Sequence, residues 1–208
     1  MFNAPICAHP DCGNPVIGIF GDGGAAPFGE FCFLHTHDQG AALKFAVDYV
    51  DAHEKIVGLN AMYMPFSEVN LEGKLLYGCV FRRCDFRNVS AEHLRARMCI
   101  FDFASFKKCA FKKVNVQFAS FAGTDFADTQ AVSSVLVNNN FSGVTLVNSA
   151  FDDTDFYNSR FVKARISDSN FTNCNLQRTI FYGWEENNVS FKLSSTRGAA
   201  FSLPEAGA

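Results

Sequence analysis

Apolar residues in this chain recur at a spacing that belongs to neither a helix nor a strand. From Phe66 to Phe201 every fifth residue falls in one column of 28 positions, of which 16 are Phe, five Leu, one Ile and one Val. The phase never slips, and periods of 3.6 or 2 do not generate it. Two residues before each centre runs a second column, in which 23 of 28 members are Ala, Cys, Ser, Thr or Val. The other three positions of each unit are mostly Ser, Asn, Asp, Lys and Arg. A fixed period of this kind means one structural unit repeated, with the same slot recurring. Departures predict local widening: Ala91, Ala96 and Ala131 under-fill their centres, and Lys74, Leu94 and Asn139 interrupt the small column. Trp184, Glu186 and Thr196 mark a fraying or capping coil near the C-terminus.

Cys79-Val80-Phe81-Arg82-Arg83, Cys84-Asp85-Phe86-Arg87-Asn88, Thr154-Asp155-Phe156-Tyr157-Asn158 and Cys174-Asn175-Leu176-Gln177-Arg178 are clear copies of the unit. They resemble the pentapeptide-repeat family, over roughly residues 61–201. The resemblance implies an all-β solenoid, a right-handed quadrilateral β-helix with one unit per side and four per coil. The centre and the residue two before it then point inward. The 28 units make seven coils, a rod roughly 34 Å long at about 4.8 Å per rung. Residues twenty apart stack, so Phe81, Phe101, Phe121, Phe141, Phe161, Phe181 and Phe201 form one ladder. Burying each Phe contributes roughly 2–3 kcal/mol against the entropy of ordering the chain. A core filled this way is expected to leave no cavity and no interior active site.

The N-terminal stretch reads differently. Cys7-x4-Cys12-x19-Cys32-x2-His35, with Gly13 and Pro15 after Cys12 and Phe31 before Cys32, resembles a small Cys3His zinc knuckle. Zinc takes four soft or borderline ligands in a tetrahedron, so one structural zinc on Cys7, Cys12, Cys32 and His35 is expected, with His9 and His37 as substitute ligands. The other five cysteines all lie in the small column and read as small buried hydrophobes. A catalytic pairing of Cys32 with His35 or His37 is the sharper alternative, but four complete ligands leave no open position. Gly21 to Ala26 superficially fits a dinucleotide-binding loop; Pro27 and Gly29 follow at once and no βαβ unit fits, so a hairpin loop is expected. Asp38 can cap an amphipathic helix whose apolar residues run from Ala42 to Val57, with Gly58 after its end. That helix is expected to cover the first coil, because an open solenoid end exposes strand edges. The chain thus divides into a module (1–37), a capping helix and linker (38–60), the β-helix (61–203) and a tail (204–208).

Net charge is only −3 and the pI about 5.9, which supplies no overall drive toward nucleic acid or an anionic membrane. No run of 18 apolar residues exists, and Met1 to Pro5 lacks the features of a secretory leader, so a cytoplasmic protein with reduced cysteines is expected. Sequons at Asn88, Asn140, Asn170 and Asn188 then follow from composition. No catalytic constellation stands out, and a non-enzymatic module that binds a protein partner through the faces of a rigid rod is the expected function. The alternative, implied by the family resemblance, is a DNA-mimicking modulator of a type II topoisomerase or another DNA-binding enzyme. Asp125, Asp128, Asp152, Asp153 and Asp155 form its candidate acidic face. Residues 82–113 carry nine Lys or Arg against three acids, a net +6, while 114–156 carry five Asp and no base. A dipolar rod fits a mimic poorly. Val80, Met98, Ile100, Phe103 and Phe118 occupy outward phases and form a candidate protein-binding patch, unless the helix folds back over it. Phe191, Leu193, Phe201 and Leu203 form a candidate homodimer end.

Overall fold

In the computed structural model of the chain, residues 4–21 and 26–202 are described. The Gly21–Ala26 loop reading and Leu203 therefore fall wholly or partly outside the described residues. From Lys55 onward the chain is a parallel β-solenoid in which every rung pairs with the one twenty residues away: Asp85 with Ser105, Asp125 with Thr145, Ala110 with Gln130. Four units therefore make one coil, and there are about seven coils. In chain order the first side is centred on Ile56, Leu76, Ala96, Val116, Leu136, Phe156 and Leu176. The second carries Ala61 and the Phe81 to Phe201 ladder, the third Phe66, Phe86, Phe106, Phe126, Leu146 and Ile166, and the fourth Leu71, Ala91, Phe111, Ala131, Phe151, Phe171 and Phe191. On the second side successive rings lie nearly parallel with centroids 4.8–5.3 Å apart.

The corners explain the polar composition. Two residues after every centre, at each position in steps of five from Tyr63 to Gly198, the backbone is left-handed, with φ between 48° and 70°. That conformation costs an ordinary L-residue roughly 1–2 kcal/mol and is tolerated best by Gly, Asn and Asp. Those three fill 15 of the 28 corners. The small column has a chemical as well as a steric role. Thr124, Thr154, Ser159 and Cys84 each donate to the carbonyl 23 residues earlier, at 2.8–2.9 Å. Asn139, too large for the column, does the same to the Val116 carbonyl and also accepts from the Ala119 amide. It is buried and satisfied, where widening was expected.

Two expectations need correcting. The core is not void-free: an apolar cavity of about 50 Å³ is lined by residues including Leu94, Phe111, Val114, Val116, Ala131 and Phe151. Its lining runs along the core from Leu71 to Phe151 and includes Ala131, which takes a centre between Phe111 and Phe151 on the fourth side. No polar group lines it, and it offers no chemistry. The helix is also shorter than its apolar pattern suggests. α1 runs Gln39–Ala52, its first turn closed by Asp38 accepting from the Ala41 amide at 2.8 Å. Strand β2 (Lys55–Val57) already pairs with Leu75–Tyr77 as a rung of the first coil, because Ile56 falls in phase with the centres that follow.

Ala42, Ala46 and Val50 form a narrow buried stripe on α1 and share one core with Ile56, Leu59, Ala61 and Met64, so the helix packs against the first coil. Lys74, inward-facing in the small column, donates to the Asp51 and His53 carbonyls at the helix C-terminus. A cation there also meets the negative end of the helix dipole. His53 stacks on Tyr49 and bonds the Tyr49 carbonyl, a packing role. The N-terminal module docks on the second side. Numbering strands by chain order, Gly18–Ile19 (β1) pairs antiparallel with Leu59–Asn60 (β3), and the buried Asn60 amide donates to the Val16 carbonyl at 2.6 Å. Among the described residues no helix is long and apolar enough to cross a membrane. At the far end Glu186 and Thr196 occupy centres, and Trp184 from the small column packs against Phe181, Phe191 and Phe201 at 5.1–6.1 Å.

Candidate metal centre and apolar trough

Four ligand atoms meet in the N-terminal module. The sulfurs of Cys7, Cys12 and Cys32 and a nitrogen of His35 all lie within 4.8 Å of one another. Cys12 Sγ is 3.8 Å from Cys32 Sγ, and His35 Nδ1 is 3.4 Å from Cys7 Sγ and 3.5 Å from Cys32 Sγ. Zinc bonds of about 2.3 Å to sulfur and 2.0–2.1 Å to nitrogen give tetrahedral edges of about 3.8 Å and 3.5 Å, which these three separations match, so the cluster could hold a metal ion. Local backbone bonds set this geometry. The Cys7 amide donates to Asn14 and the Cys12 amide to His9, while the His35 and Thr36 amides close a turn on the Cys32 carbonyl. His9 stacks on His35 with centroids 3.8 Å apart, and His37 meets the edge of Phe31; neither substitutes as a ligand.

Burial acts to raise the Cys7 thiol, but hydrogen bonds from the Cys32 and His9 backbone and from the His35 and Cys32 side chains together bring it down to about 6. Burial raises Cys32, and the neighbouring Cys7 and Cys12 sulfurs add to that. A divalent cation among the four would favour every thiolate at once. A buried thiol pushed upward is the opposite of an activated nucleophile, so the Cys32–His35 pair does not read as catalytic.

The candidate patch divides into three parts. Met98, Ile100 and Phe118 line one groove of about 670 Å³ with Tyr77, Asn138 and Arg160. Val80 and Ile100 line an adjoining hollow of about 390 Å³ against Ile6, Pro15, Phe20 and Asn60, at the seam with the module. Phe103 stands apart on the next corner, its ring over Gly123 and faced by Arg82 at 5.4 Å and Arg83 at 5.1 Å. Met98 and Phe118 are 63% and 60% exposed, so the helix does not fold back over them. The residues not anticipated here are Asn138, Asn158 and Arg160, although twenty-residue stacking puts them in the same columns as Met98 and Ile100.

The five aspartates do not share a face. Asp125 and Asp128 belong to the third side and its following corner, Asp152 and Asp153 to the corner after the fourth side, and Asp155 to the first. Four of them accept bonds from the next coil: Asp128 from Asn148, Asp152 from the Thr172 amide, Asp153 from Asn173, and Asp155 from Asn175. At the C-terminal end Phe191 and Phe201 join the Trp184 cluster, while Leu193 projects from a corner at 75% exposure.

A quadrilateral parallel solenoid with a five-residue side defines the class of protein. Residues 132–201 match the family model described as a pentapeptide repeat region, and the chain carries pentapeptide repeats, together with a Cys3His cluster consistent with a zinc-knuckle-like module. No curated protein matches the chain. Solved structures with detectable likeness include full-length QnrB1, a plasmid-mediated fluoroquinolone resistance protein (17% identity, 70% of this chain and 83% of that one, TM-score 0.34). Another is Rfr23, a pentapeptide repeat protein from the cyanobacterium Cyanothece 51142 (10%, 77% and 98%, TM-score 0.27). A third is HetL, a pentapeptide repeat protein involved in heterocyst differentiation regulation from the cyanobacterium Nostoc sp. strain PCC 7120 (12%, 71% and 89%, TM-score 0.22). None of these likenesses bears on what this chain binds.

Proposed function

We propose that this protein is a non-enzymatic, protein-binding scaffold whose first coil is closed by a helix and a module built on one structural zinc ion. The observation that carries the reading is the exposure of Met98 and Phe118 on one corner and of Phe103 on the next. Three large apolar side chains are exposed at left-handed corners within one coil's length, where Gly, Asn or Asp would be cheaper in backbone energy and in hydration. The spread of the aspartates over three sides, most of them bonded within the rod, gives the duplex-mimic reading no support. Cys7, Cys12, Cys32 and His35 would hold the zinc, and four protein ligands leave it no open position for substrate. The test is affinity capture with cross-linking on the intact chain. A partner retained when Asp125, Asp128, Asp152, Asp153 and Asp155 are changed to Asn, and lost when Met98 and Phe118 are changed, supports the scaffold reading. A partner lost only with the aspartates supports mimicry instead.

A further inference from the structure

We propose that the second side of the rod takes an extended segment of a partner protein that combines apolar side chains with carboxylates, a proposal that rests on the protein-binding reading above. The two hollows beside the patch share Gly78 and Ile100, so they form one trough running from Ile6 and Pro15 of the module to Arg160. Two stacked columns make its floor and edge: Gly78, Met98, Phe118, Asn138 and Asn158 along the corner, and Asn60, Val80, Ile100, Ser120, Asn140 and Arg160 along the side. Five rungs at about 4.8 Å make the trough roughly 24 Å long, which an extended chain rising about 3.3 Å per residue spans in about seven residues.

The chemistry of the trough selects the occupant. Its middle is apolar at Val80, Met98, Ile100 and Phe118, and each Met or Phe side chain lies where a partner side chain could cover it. The rim is cationic. Arg82 lines the hollow at the module end and Arg160, exposed, lines the groove at the far end, and among the described residues neither takes part in an ion pair. A guanidinium pairs best with a carboxylate, which can bond it with two parallel N–H donors. The one acid in the trough, Asp102, is already engaged by the Ser120 hydroxyl and the Ala122 amide. Of the basic residues in 82–113 Arg82 lines the trough, and with Arg160 it favours an acidic partner. At the module end the Asn60 Oδ1, on a side chain only 3% exposed, accepts no bond. An extended peptide presents the backbone N–H that this acceptor lacks.

Arginine beside exposed aromatic rings also suits single-stranded nucleic acid, but such grooves track the backbone with a line of positive charge. Here Asn60, Ser120, Asn138, Asn140 and Asn158 interrupt the line. The test is to pan a displayed library of random twelve-residue peptides on the intact, metal-loaded chain and, in parallel, on a variant with Met98→Asn and Phe118→Asn. Asn already occupies 138 and 158 in the same column and suits their backbone, so this variant keeps the fold. The expected winners carry Asp or Glu with Leu, Ile or Phe, and bind the unaltered chain at least tenfold more tightly than the variant by fluorescence anisotropy. Arg82→Gln with Arg160→Gln should weaken them three- to tenfold and flatten the salt dependence. Winners that bind the variant equally well place the binding elsewhere and overturn the trough while leaving the scaffold reading standing. No winners on either chain overturn both. Basic winners, tighter binding of an oligo-dT twelve-mer, or self-association abolished by the variant would each overturn the acidic-segment proposal.

Discussion

Corners in the later coils bond to one another, whereas those around residues 98–118 do not. Asn148 donates to Asp128, Asn158 to Asn138, Asn173 to Asp153 and Asn188 to Asp168, each across one coil at 2.6–2.9 Å. These residues tolerate the left-handed backbone and spend their side chains on the neighbouring rung. In the earlier region the same positions hold Met98, Phe103, Lys108, Lys113 and Phe118, residues that fit the conformation badly. Lys113 reaches Glu92 at 2.9 Å, but both partners are well exposed and such a pair contributes little. The two regions share one core and one backbone geometry, so the difference lies in what the surface is kept for. The later corners serve the rod, and on the proposed reading the earlier ones serve a partner.

The largest test of this contrast removes something both regions rely on. Phe101→Ala and Phe161→Ala, one ring from each region's stretch of the ladder, should each cost about 3–5 kcal/mol in chemical denaturation. A large inequality between them would mean the cores differ after all. Next in size is Cys32→Ser: native mass spectrometry should find one zinc on the unaltered chain and none on this variant, and the change should open residues 4–37 to protease with the later coils still protected. A metal-free chain with an ordered N-terminus would exclude the zinc reading.

How far this could be read beforehand depends on whether a residue acts through its phase or through its neighbours. The period of five places the buried centres, the small column and the stacking of Phe81 to Phe201 without reference to anything else, and the Cys7 to His35 spacing brings four ligands together within two short turns. Lys74 was legible only as an interruption, because its partners are the carbonyls that end α1. Ile56 matched both the helix stripe and the centre phase, and pairing with Leu76 decided for the strand. The donor role of Thr124 or Asn139 was hidden because the column looks merely small. Asn60 could not be recognised without the docking of β1 against β3.

Two smaller effects sharpen the comparison. Converting a working corner into an outward one, Asn158→Leu, should destabilise the rod by about 1–2 kcal/mol, and the reverse change of Met98 and Phe118 to Asn should stabilise it by about 1 kcal/mol while removing binding. Thermal and urea unfolding of the two variants measure both signs. Smallest of all, Ala131→Val fills part of the 50 Å³ cavity and should add about 1 kcal/mol or less.

The central claim, that the corner at Met98 and Phe118 is a binding surface, is tested most directly by methyl NMR. The chain has four methionines, of which Met98 lies exposed in the trough and Met64 is fully buried in the core. Adding a selected acidic, apolar peptide should shift and broaden the Met98 ε-methyl signal in step with binding and leave Met64 in place. A peptide that binds while the Met98 signal stays unmoved would contradict the account.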